Sequence, residues 1–400
     1  MSKQGMRVCA AVLAWCTTLL ATLGTAWADD GRGLRRGGDP GEVTISGVSA
    51  GAAMAIQYAV AHSSSIRGVG SIAGPAWGCA DGSVSQAINS CMCGSPAPSA
   101  RVDAARALAA SGAIDPLSSG RPAALRRVFV FHSASDQTVV ASAREANVAF
   151  LGAFIGEPPS VDMGNPADGS DHAGHGILGP EGSDACRLDG QEKSYVRRCG
   201  AKDNAGDLLH ALYPGVALDP SSRVNAIPAT EIWSFDQAIL IERVKATRAR
   251  VSPDELRFGF IPWSTQRRKN FDMAARGYLY VPPSCRGQNA LCKVHVALHG
   301  CKQDARTFAR EAGYNHWAEH YRMIVVYPAI EPGTNLAGEA CSARVPGLAD
   351  YSVVEPNVNG CWDWWGYLDS VGSRTRYLTK EGPQMRVIEH IVREVTARIQ

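Results

Sequence analysis

The sequence of 400 residues predicts an α/β fold with a mostly parallel central sheet flanked by helices. Three runs, 128–131, 294–298 and 323–327, are unbroken apolar stretches of the kind found in buried parallel strands. Segments with helical periodicity alternate with these runs, as in folds where helices cover both faces of a parallel sheet. We therefore expect one domain, although the length exceeds the usual size of a single hydrophobic core.

The first half of the chain alternates between β-type runs and helical patterns. The expected strands are 43–45, 68–73 and 128–131, and the expected helices are 52–61, 102–110 and 142–154. Ser142 is the predicted N-cap of the last helix. Residues 156–206 are rich in Gly, Pro and Asp and predict a long loop region.

The second half begins near Ile232 and repeats this alternation. The expected elements are strands at 276–281, 294–298 and 323–327 and a helix at 308–321. The last segment predicts an amphipathic helix, because one helical face carries the apolar residues Val387, Ile388, Ile391, Val392, Val395 and Ile399.

The N-terminus has the three parts of a secretory signal peptide, predicted at 1–28. Lys3 and Arg7 are basic, 8–23 is apolar, and 26–28 reads Ala-Trp-Ala, a small-residue cleavage site. The apolar stretch is too short and too interrupted by Thr and Cys for a membrane anchor. No other segment is long enough to span a bilayer, so we expect no stable membrane insertion and a secreted protein, in the medium or the periplasm.

Removal of residues 1–28 would leave 38 basic and 38 acidic residues. This balance argues against a nucleic-acid or acidic-membrane partner. Residues 29–41 are rich in Gly, Arg and Asp and predict a flexible leader. The catalytic domain is therefore expected at 42–400.

Ten of the twelve cysteines lie outside the predicted signal peptide, and an even number in an exported chain suggests up to five disulfides. The local bridges that spacing favours are Cys186 with Cys199, Cys285 with Cys292, and Cys79 with either Cys91 or Cys93. A redox or metal role for Cys91-Met92-Cys93 is the alternative, which an oxidising compartment disfavours.

The stretch that points to chemistry is Gly47-Val48-Ser49-Ala50-Gly51, between the run 43–45 and an alanine-rich helix. Its Gly-x-Ser-x-Gly layout is that of a nucleophile elbow, in which a serine occupies a tight strand-to-helix turn. Small residues on either side let strand and helix approach closely. Ser49 is the predicted nucleophile of a hydrolase, and a plain Gly/Ser-rich turn is the alternative.

The position of this elbow in the chain is unusual. In an α/β-hydrolase, several strands and the loop that binds the oxyanion precede the nucleophile. Here too few residues precede Ser49, whereas suitable strands follow residue 276. Because chain termini commonly lie close together, joining the C-terminal block to Val43 restores the usual order. The sequence thus predicts a circularly permuted α/β-hydrolase.

A nucleophilic serine needs a base and a carboxylate that orients the base. Asp136 follows the strand at 128–131, and the carboxyl ends of parallel strands are where such folds place functional groups. His175, between two glycines, completes the hydrolase order Ser, Asp, His. A tetrahedral oxyanion also requires backbone N–H donors, of which the residue after the nucleophile, Ala50, supplies one.

Other assignments use neighbouring residues. Asp136 is alternatively a turn-capping residue, with Asp168 or Asp171 as weaker choices for the acid, and His172 is the second choice for the base. His172-x-x-His175 with Asp168 and Asp171 has the ligand types of a metal site, but no further metal-binding motif accompanies it. We therefore expect no metal and no organic cofactor.

Several motifs together resemble the secreted poly(3-hydroxybutyrate) depolymerases with a permuted, single catalytic domain. They include SGVSAGAAMA around Ser49, HAGHG around His175, YVRRCGAKDNAGDLLHALYPG, HVALHGCKQ and GCWDWWGY. The resemblance extends over residues 42–400. It implies a serine esterase that cleaves ester bonds of poly(3-hydroxybutyrate) or its oligomers through an acyl-enzyme.

The resemblance also implies further site residues. It places the second oxyanion donor at the main-chain N–H of Cys301, whose sulfur is expected in a disulfide with Cys361 as a candidate partner. Aromatic residues are expected to line an apolar cleft for an aliphatic polyester, namely Trp362, Trp364, Trp365 and Trp77. Core packing is the alternative for two of the first three. Trp77 lies in AGPAWGCA, where the family pattern has Gly-Gly-Pro with an aromatic pair.

Two other functions are compatible with parts of this sequence. A feruloyl or acetylxylan esterase shares the fold but usually carries its serine in mid-chain, so the early elbow argues against it. A non-catalytic protein that binds polyester surfaces is disfavoured by an intact Ser, Asp and His set. The expected partner is therefore a polyester or hydroxyalkanoate oligomer substrate, bound by a monomer.

Overall fold

The computed structural model describes residues 33–94, 96–117, 125–187, 193–248, 270–287, 290–331, 357, 359–369 and 375–398. These residues form an eight-stranded, mostly parallel sheet, a small three-stranded sheet and the surrounding helices. The predicted α/β fold is therefore confirmed. The predicted signal peptide, the residues 29–32 of the leader, Cys341 and Ile399 lie outside the described residues.

Eleven strands are found in the described part of the chain. They are β1 (Gly38–Val48), β2 (Gly68–Ile72), β3 (Arg127–Phe131), β4 (Ser160–Asp162), β5 (Ile177–Leu178), β6 (Asp184–Ala185), β7 (Val196–Arg198), β8 (Ile232–Asp236), β9 (Arg276–Tyr280), β10 (Cys292–Leu298) and β11 (Met323–Tyr327). The expected strands at 68–73, 128–131, 276–281, 294–298 and 323–327 agree with this set to within two residues at each end.

The principal helices follow the strands as the periodicity predicted. They are α1 (Ala50–Ala61), α2 (Pro98–Ala110), α3 (Ser142–Gly152), α4 (Asn204–Leu212), α5 (Gln237–Arg248), α6 (Ala305–Glu311), α7 (Tyr314–Tyr321) and α8 (Pro383–Val395). The helix expected at 308–321 is divided into α6 and α7, because Gly313 between them adopts a left-handed φ of 88°.

The strand order β4-β3-β2-β1-β10-β11-β9-β8 places the first strand of the chain near the middle of the sheet. β1 pairs in parallel with β2 on one side and with β10 on the other, whereas β9 is antiparallel to both β11 and β8. The C-terminal block therefore supplies the half of the sheet that normally precedes the elbow strand. This order confirms the circular permutation.

The core lies on both faces of the central strands. β11 is buried along its whole length, and β10 along all but one position. All twelve residues of α1 are buried as well, because its alanines and glycine allow the helix to lie directly against the sheet. In α8 the predicted apolar face is buried, including Val387, Ile388 and Ile391.

Two local predictions were wrong. Part of the expected flexible leader belongs to the fold, because β1 begins at Gly38 and Arg36 forms an ion pair of 2.7 Å with Glu394 of α8. Ser142 is the first residue of α3 instead of its cap, since its hydroxyl donates to the Gly94 carbonyl (2.5 Å) and Ala141 takes the capping position.

Four disulfides join described cysteines: Cys79–Cys91, Cys186–Cys199, Cys285–Cys292 and Cys301–Cys361. The two predicted local bridges are confirmed, and Cys79 takes Cys91 of its two alternatives. Cys93 is disulfide-bonded too, so both cysteines of the Cys91-Met92-Cys93 stretch are oxidised and neither thiol is available for a metal.

A buried hydrogen-bond chain connects the central strands β1 and β10. His295 Nδ1 lies 2.8 Å from the Thr44 hydroxyl and its Nε2 lies 2.8 Å from the Ser46 hydroxyl, which also contacts the Tyr314 hydroxyl at 2.8 Å. Burial lowers the pKa of His295 to about 3, so the imidazole is neutral and its proton position follows from the hydroxyl partners.

Buried histidines make folding stability depend on pH. Burial lowers the pKa of His62 to about 4, of His295 to about 3 and of His299 to about 4, whereas the unfolded value is about 6.5. The unfolded chain therefore binds these protons first, and the stability present above pH 6.5 is lost as the pH falls towards 4. We expect His62→Gln to reduce the slope of unfolding free energy against pH by about 1 kcal/mol per pH unit.

Denaturant unfolding between pH 6 and pH 5, with the disulfides intact, measures this slope. Gln86→Ala, at an exposed position and without a titratable group, is the control and should leave the slope unchanged. An identical slope in wild type and His62→Gln would show that His62 is not the buried neutral group described above.

Candidate active site

The elbow holds Ser49 in a left-handed conformation between β1 and α1. Its φ is 55° and its ψ is −121°, values that a side-chain-bearing residue rarely adopts. The Ser49 N–H donates to the Ile72 carbonyl at the end of β2 (2.9 Å), which ties the turn to the neighbouring strand. Ser49 is only partly buried and lies at the carboxyl edge of the sheet, directly after β1.

Close packing explains both glycines of the motif. A Cβ at Gly47 would overlap with the backbone of Gly51, because strand and helix touch across the turn. A Cβ at Gly51 would overlap with the carbonyl groups of Leu298 and His299, at the end of β10. The elbow is therefore packed against the strand end that carries the predicted oxyanion loop.

Asp136 and His175 form a buried hydrogen-bonded pair near the end of β3. His175 Nδ1 lies 2.7 Å from Asp136 Oδ2, and both side chains are at most 5% exposed. The other carboxylate oxygen accepts the N–H groups of Thr138 (2.9 Å) and Val139 (3.0 Å). The structure thus brings together the predicted acid and the predicted base.

The electrostatics of this pair favour a carboxylate and a defined imidazole tautomer. Burial raises the pKa of Asp136, but the interactions with His175, the charge of His132 and the hydrogen bond from the Val139 N–H together lower it by more, so the net shift is downward. An ionised Asp136 can only accept, so His175 Nδ1 carries the proton. The lone pair of His175 Nε2 is then the one that can take a proton from a hydroxyl.

A buried arginine supports the loop that carries His175, and the sequence reasoning missed it. Arg197 is fully buried, and its Nε donates to the His175 carbonyl (2.8 Å). Gly174 is required beside it, because a Cβ there would lie 2.8 Å from the guanidinium carbon. The signal was the first arginine of the YVRRCG motif, which the hydropathy pattern alone would place on the surface.

The alternative acid and base residues have other partners. His172 is exposed and contacts the Ser135 hydroxyl through Nδ1 (3.0 Å) and Asp171 through Nε2 (3.3 Å). Asp168 accepts the N–H of Ser170 (2.9 Å) as a turn residue. No group of three metal-ligating side chains occurs among the described residues. A cavity of about 410 Å³ opens beside His172 and is also lined by Ser135, Gln137, Gly174 and Arg187.

The loop after β10 lies against the elbow and is held from several directions. Gly300 is close to the nucleophile turn, since a Cβ there would lie 3.2 Å from Ser49 Cβ. The Trp362 indole donates to the His299 carbonyl (2.9 Å), and the Lys302 N–H donates to the Asn359 carbonyl (2.8 Å). The Cys301–Cys361 disulfide fixes the same loop covalently.

The two predicted oxyanion donors lie on these adjoining elements. Ala50 is the first residue of α1, where a backbone N–H has no intrahelical acceptor. The Cys301 N–H has no hydrogen-bond acceptor among the described residues. Both amides are therefore available to an external acceptor near Ser49.

The tryptophans expected in the cleft are packed inside the protein. Trp77 is 1% exposed and stacks on Phe150 at 4.6 Å between ring centroids, and Trp362 is fully buried. The prediction that these two line an apolar cleft was wrong, and for Trp362 the alternative of core packing holds, because both large rings are buried in the core. Trp364 and Trp365 are 5% and 8% exposed and contact each other edge to face at 5.5 Å.

The central sheet with its strand–turn–helix serine and the Asp–His pair at the same edge defines the class: the chain has the α/β-hydrolase fold. Its relatives are poly(3-hydroxybutyrate) depolymerases, which confirms the resemblance expected from the motifs. The chain is 29% identical over 369 residues to the poly(3-hydroxybutyrate) depolymerase of Delftia acidovorans, covering 90% of this chain and 60% of that protein. It is 28% identical over 374 residues to the polyhydroxybutyrate depolymerase of Talaromyces funiculosus, covering 90% and 91% of the two chains.

Two solved structures have a fold similar to that of this chain. The PHB depolymerase from Penicillium funiculosum matches with a TM-score of 0.66 and 25% identity over 92% of this chain and all of the other. A serine-to-alanine variant of a PHB depolymerase, complexed with an R3HB trimer, matches with a TM-score of 0.64 and 24% identity over the same shares. No family model matches the chain. The chain spans only 60% of the length of the Delftia protein.

The close approach at Gly51 gives a direct test of the elbow geometry. Gly51→Ala should lower the free energy of unfolding by about 3 kcal/mol, because the added methyl group would overlap with the carbonyl groups of Leu298, the last residue of β10, and of His299, which follows it. Esterase activity should fall with it. Guanidinium chloride unfolding measures the change in stability.

Gly215→Ala is the matched control, because no heavy atom lies within 4 Å of a Cβ at that position. Its free energy of unfolding should stay within about 1 kcal/mol of wild type. In a helix without the close contact, Gly51→Ala would instead stabilise the protein by about 1 kcal/mol, and that result would contradict the packing described here.

Proposed function

We propose that the chain is a secreted serine esterase that hydrolyses ester bonds of poly(3-hydroxybutyrate) or its oligomers. Ser49 is the nucleophile, His175 the general base and then the general acid, and Asp136 the carboxylate that orients the imidazole. The observation that carries this proposal is the 2.7 Å contact of Asp136 with His175 at the sheet edge where the elbow presents Ser49. The similarity to proteins named as depolymerases supports the substrate class.

Acylation begins when Ser49 Oγ attacks the ester carbonyl carbon while His175 Nε2 takes the hydroxyl proton. The tetrahedral intermediate carries its negative charge on the former carbonyl oxygen, and the amides of Ala50 and Cys301 donate hydrogen bonds to it. Collapse of the intermediate breaks the ester C–O bond. His175 gives its proton to the departing alkoxide, which leaves as the hydroxyl end of one fragment.

Deacylation repeats these steps with water as the nucleophile. His175 takes a proton from water as its oxygen attacks the acyl carbon on Ser49, and the second tetrahedral intermediate uses the same two amides. Its collapse returns the proton to Ser49 Oγ and releases a hydroxy acid. An ionised Asp136 stabilises the imidazolium that forms in both halves, and no cofactor takes part.

The substrate class rests on the relatives. One structural neighbour was solved with an R3HB trimer bound, which supports a linear 3-hydroxyalkanoate ester as the substrate of this chain. Export to an oxidising compartment is supported by the pattern of residues 1–28 and by the four disulfides. No helix among the described residues is long and apolar enough to cross a membrane.

Removal of the nucleophile tests the proposed mechanism. Ser49→Ala should abolish both the hydrolysis of a short acyl ester and the clearing of a poly(3-hydroxybutyrate) film, because no other hydroxyl occupies the elbow. Asp136→Asn should lower kcat about 10⁴-fold while the protein stays folded, since the amide would favour the wrong imidazole tautomer. Initial rates with the short ester and turbidity of the film measure the two activities.

Ser99→Ala, at an exposed position of α2, is the control and should keep wild-type rates. Full activity in Ser49→Ala would refute the mechanism. A wild-type protein that adsorbs to film but hydrolyses neither substrate would instead support a non-catalytic binding function. Hydrolysis of feruloyl or acetylxylan esters without film clearing would support the carbohydrate esterase alternative.

A further inference from the structure

We infer that Gln303 is a positioning residue that holds the oxyanion loop in register with the loop that carries His175. Gln303 follows that oxyanion loop and does not contact the reacting atoms. Its side chain joins the two halves of the proposed active site, one contributed by β10 and the other by the small sheet. This inference rests on the proposed function, because it assigns the Cys301 amide to the oxyanion.

The amide of Gln303 is buried and both of its ends are used. Gln303 is 3% exposed, its Oε1 accepts the Gly300 N–H, and its Nε2 donates to the Ser194 carbonyl at 2.5 Å. Rotating the amide by 180° would set an NH₂ group against an N–H and a carbonyl against a carbonyl. Its orientation is therefore unique, and the side chain acts as a fixed link.

On the far side of this link the backbone is tied to the His175 loop. The buried Asp184 carboxylate accepts the N–H groups of Ser194 (3.1 Å) and Tyr195 (2.7 Å). The Tyr195 carbonyl accepts the Ile177 N–H (3.1 Å), two residues beyond His175. A displacement of the segment at Ser194 would therefore be transmitted to the general base.

On the near side, Gln303 fixes the residue before the oxyanion donor. Gly300 has no side chain to restrict its backbone, so its peptide groups would be free to rotate. The Gly300 N–H donates to Gln303 Oε1, and His299 Nδ1 lies 2.8 Å from the Gly300 carbonyl oxygen. Since the Ile330 N–H donates to His299 Nε2 (3.1 Å), Nδ1 carries the proton and donates to Gly300. The Cys301 N–H is then the neighbouring amide that has no acceptor among the described residues.

A shift of the oxyanion donor weakens binding of the transition state more than binding of the ester, because the charge on oxygen develops only during reaction. Gln303→Met keeps the volume and removes both hydrogen bonds. We expect kcat for a short acyl ester to fall about 10- to 100-fold with KM within about twofold of wild type. The Ki of a trifluoromethyl ketone, which forms a tetrahedral oxyanion on Ser49, should rise by the factor by which kcat/KM falls.

Gln303→Glu provides a second and independent variant. Its carboxylate can still accept the Gly300 N–H but would face the Ser194 carbonyl without a proton to donate. Protonation of the new carboxylate restores a donor to the Ser194 carbonyl, and burial raises the pKa of a glutamate. The kcat of Gln303→Glu relative to wild type should therefore rise as the pH is lowered from about 8 to about 6. Gln86→Met, at an exposed position, is the control and should match wild type in kcat, KM and Ki.

The outcomes separate this inference from the proposed function. A folded Gln303→Met variant with wild-type kcat and Ki, or with a change in KM alone, overturns the positioning role. If Gln303→Met does not fold, the pH dependence of Gln303→Glu decides, and a constant ratio to wild type overturns the inference. Activity retained by Ser49→Ala would refute the proposed function itself, whatever the Gln303 variants do.

Discussion

The active-site edge depends on one close contact, that of Gly51 in α1 with the carbonyl groups at the end of β10. This contact sets the distance between the elbow and the loop that follows β10. It is possible because Gly51 has no side chain and because Gly47 lets strand and helix touch across the turn. The strained φ of Ser49 persists because these contacts leave the turn no alternative.

The permuted chain brings this contact together from its two ends. β1 lies next to β10, and the Gly37 N–H donates to the Ala397 carbonyl (3.2 Å), so the start and the end of the folded domain meet at one place. In an unpermuted hydrolase that meeting point would be a chain connection. The paired strands and the Cys301–Cys361 disulfide therefore hold the oxyanion loop without a nearby covalent link to the elbow.

The sequence predicted best the elements whose conformation is determined by residues close to them in the chain. Unbroken apolar runs identified β3, β10 and β11, and the Gly-x-Ser-x-Gly spacing identified the elbow, because sterics act there over a few residues. The contact of Asp136 with His175 was anticipated because a strand end and the chain order of the three residues constrain it.

The features that escaped prediction depend on partners far away in the chain. Composition suggested a flexible leader before Glu42, but the pairing of Gly38 with Cys292 adds that segment to β1. Trp77 and Trp362 were expected to line an apolar cleft, and only the packing of distant loops decides that they are buried. A buried Arg197 likewise cannot be recognised until the carbonyl groups around it are in place.

Ala73 illustrates the same limit at a position where the sequence departs from the family pattern. It occupies a left-handed conformation with a φ of 50°, which a glycine adopts without strain. The departure was visible in the sequence, but its backbone consequence was not. The resemblance therefore did not predict the shape of the loop at this position.

The central claim is that Ser49 is the nucleophile of an acyl-transfer site. The most direct measurement is labelling with a fluorophosphonate, which phosphonylates an activated serine, followed by peptide mass spectrometry and an assay of residual esterase activity. The account predicts one phosphonyl adduct per chain, located on Ser49, and loss of activity in proportion to labelling. An adduct on another residue, or full esterase activity in a chain fully labelled at Ser49, would contradict it.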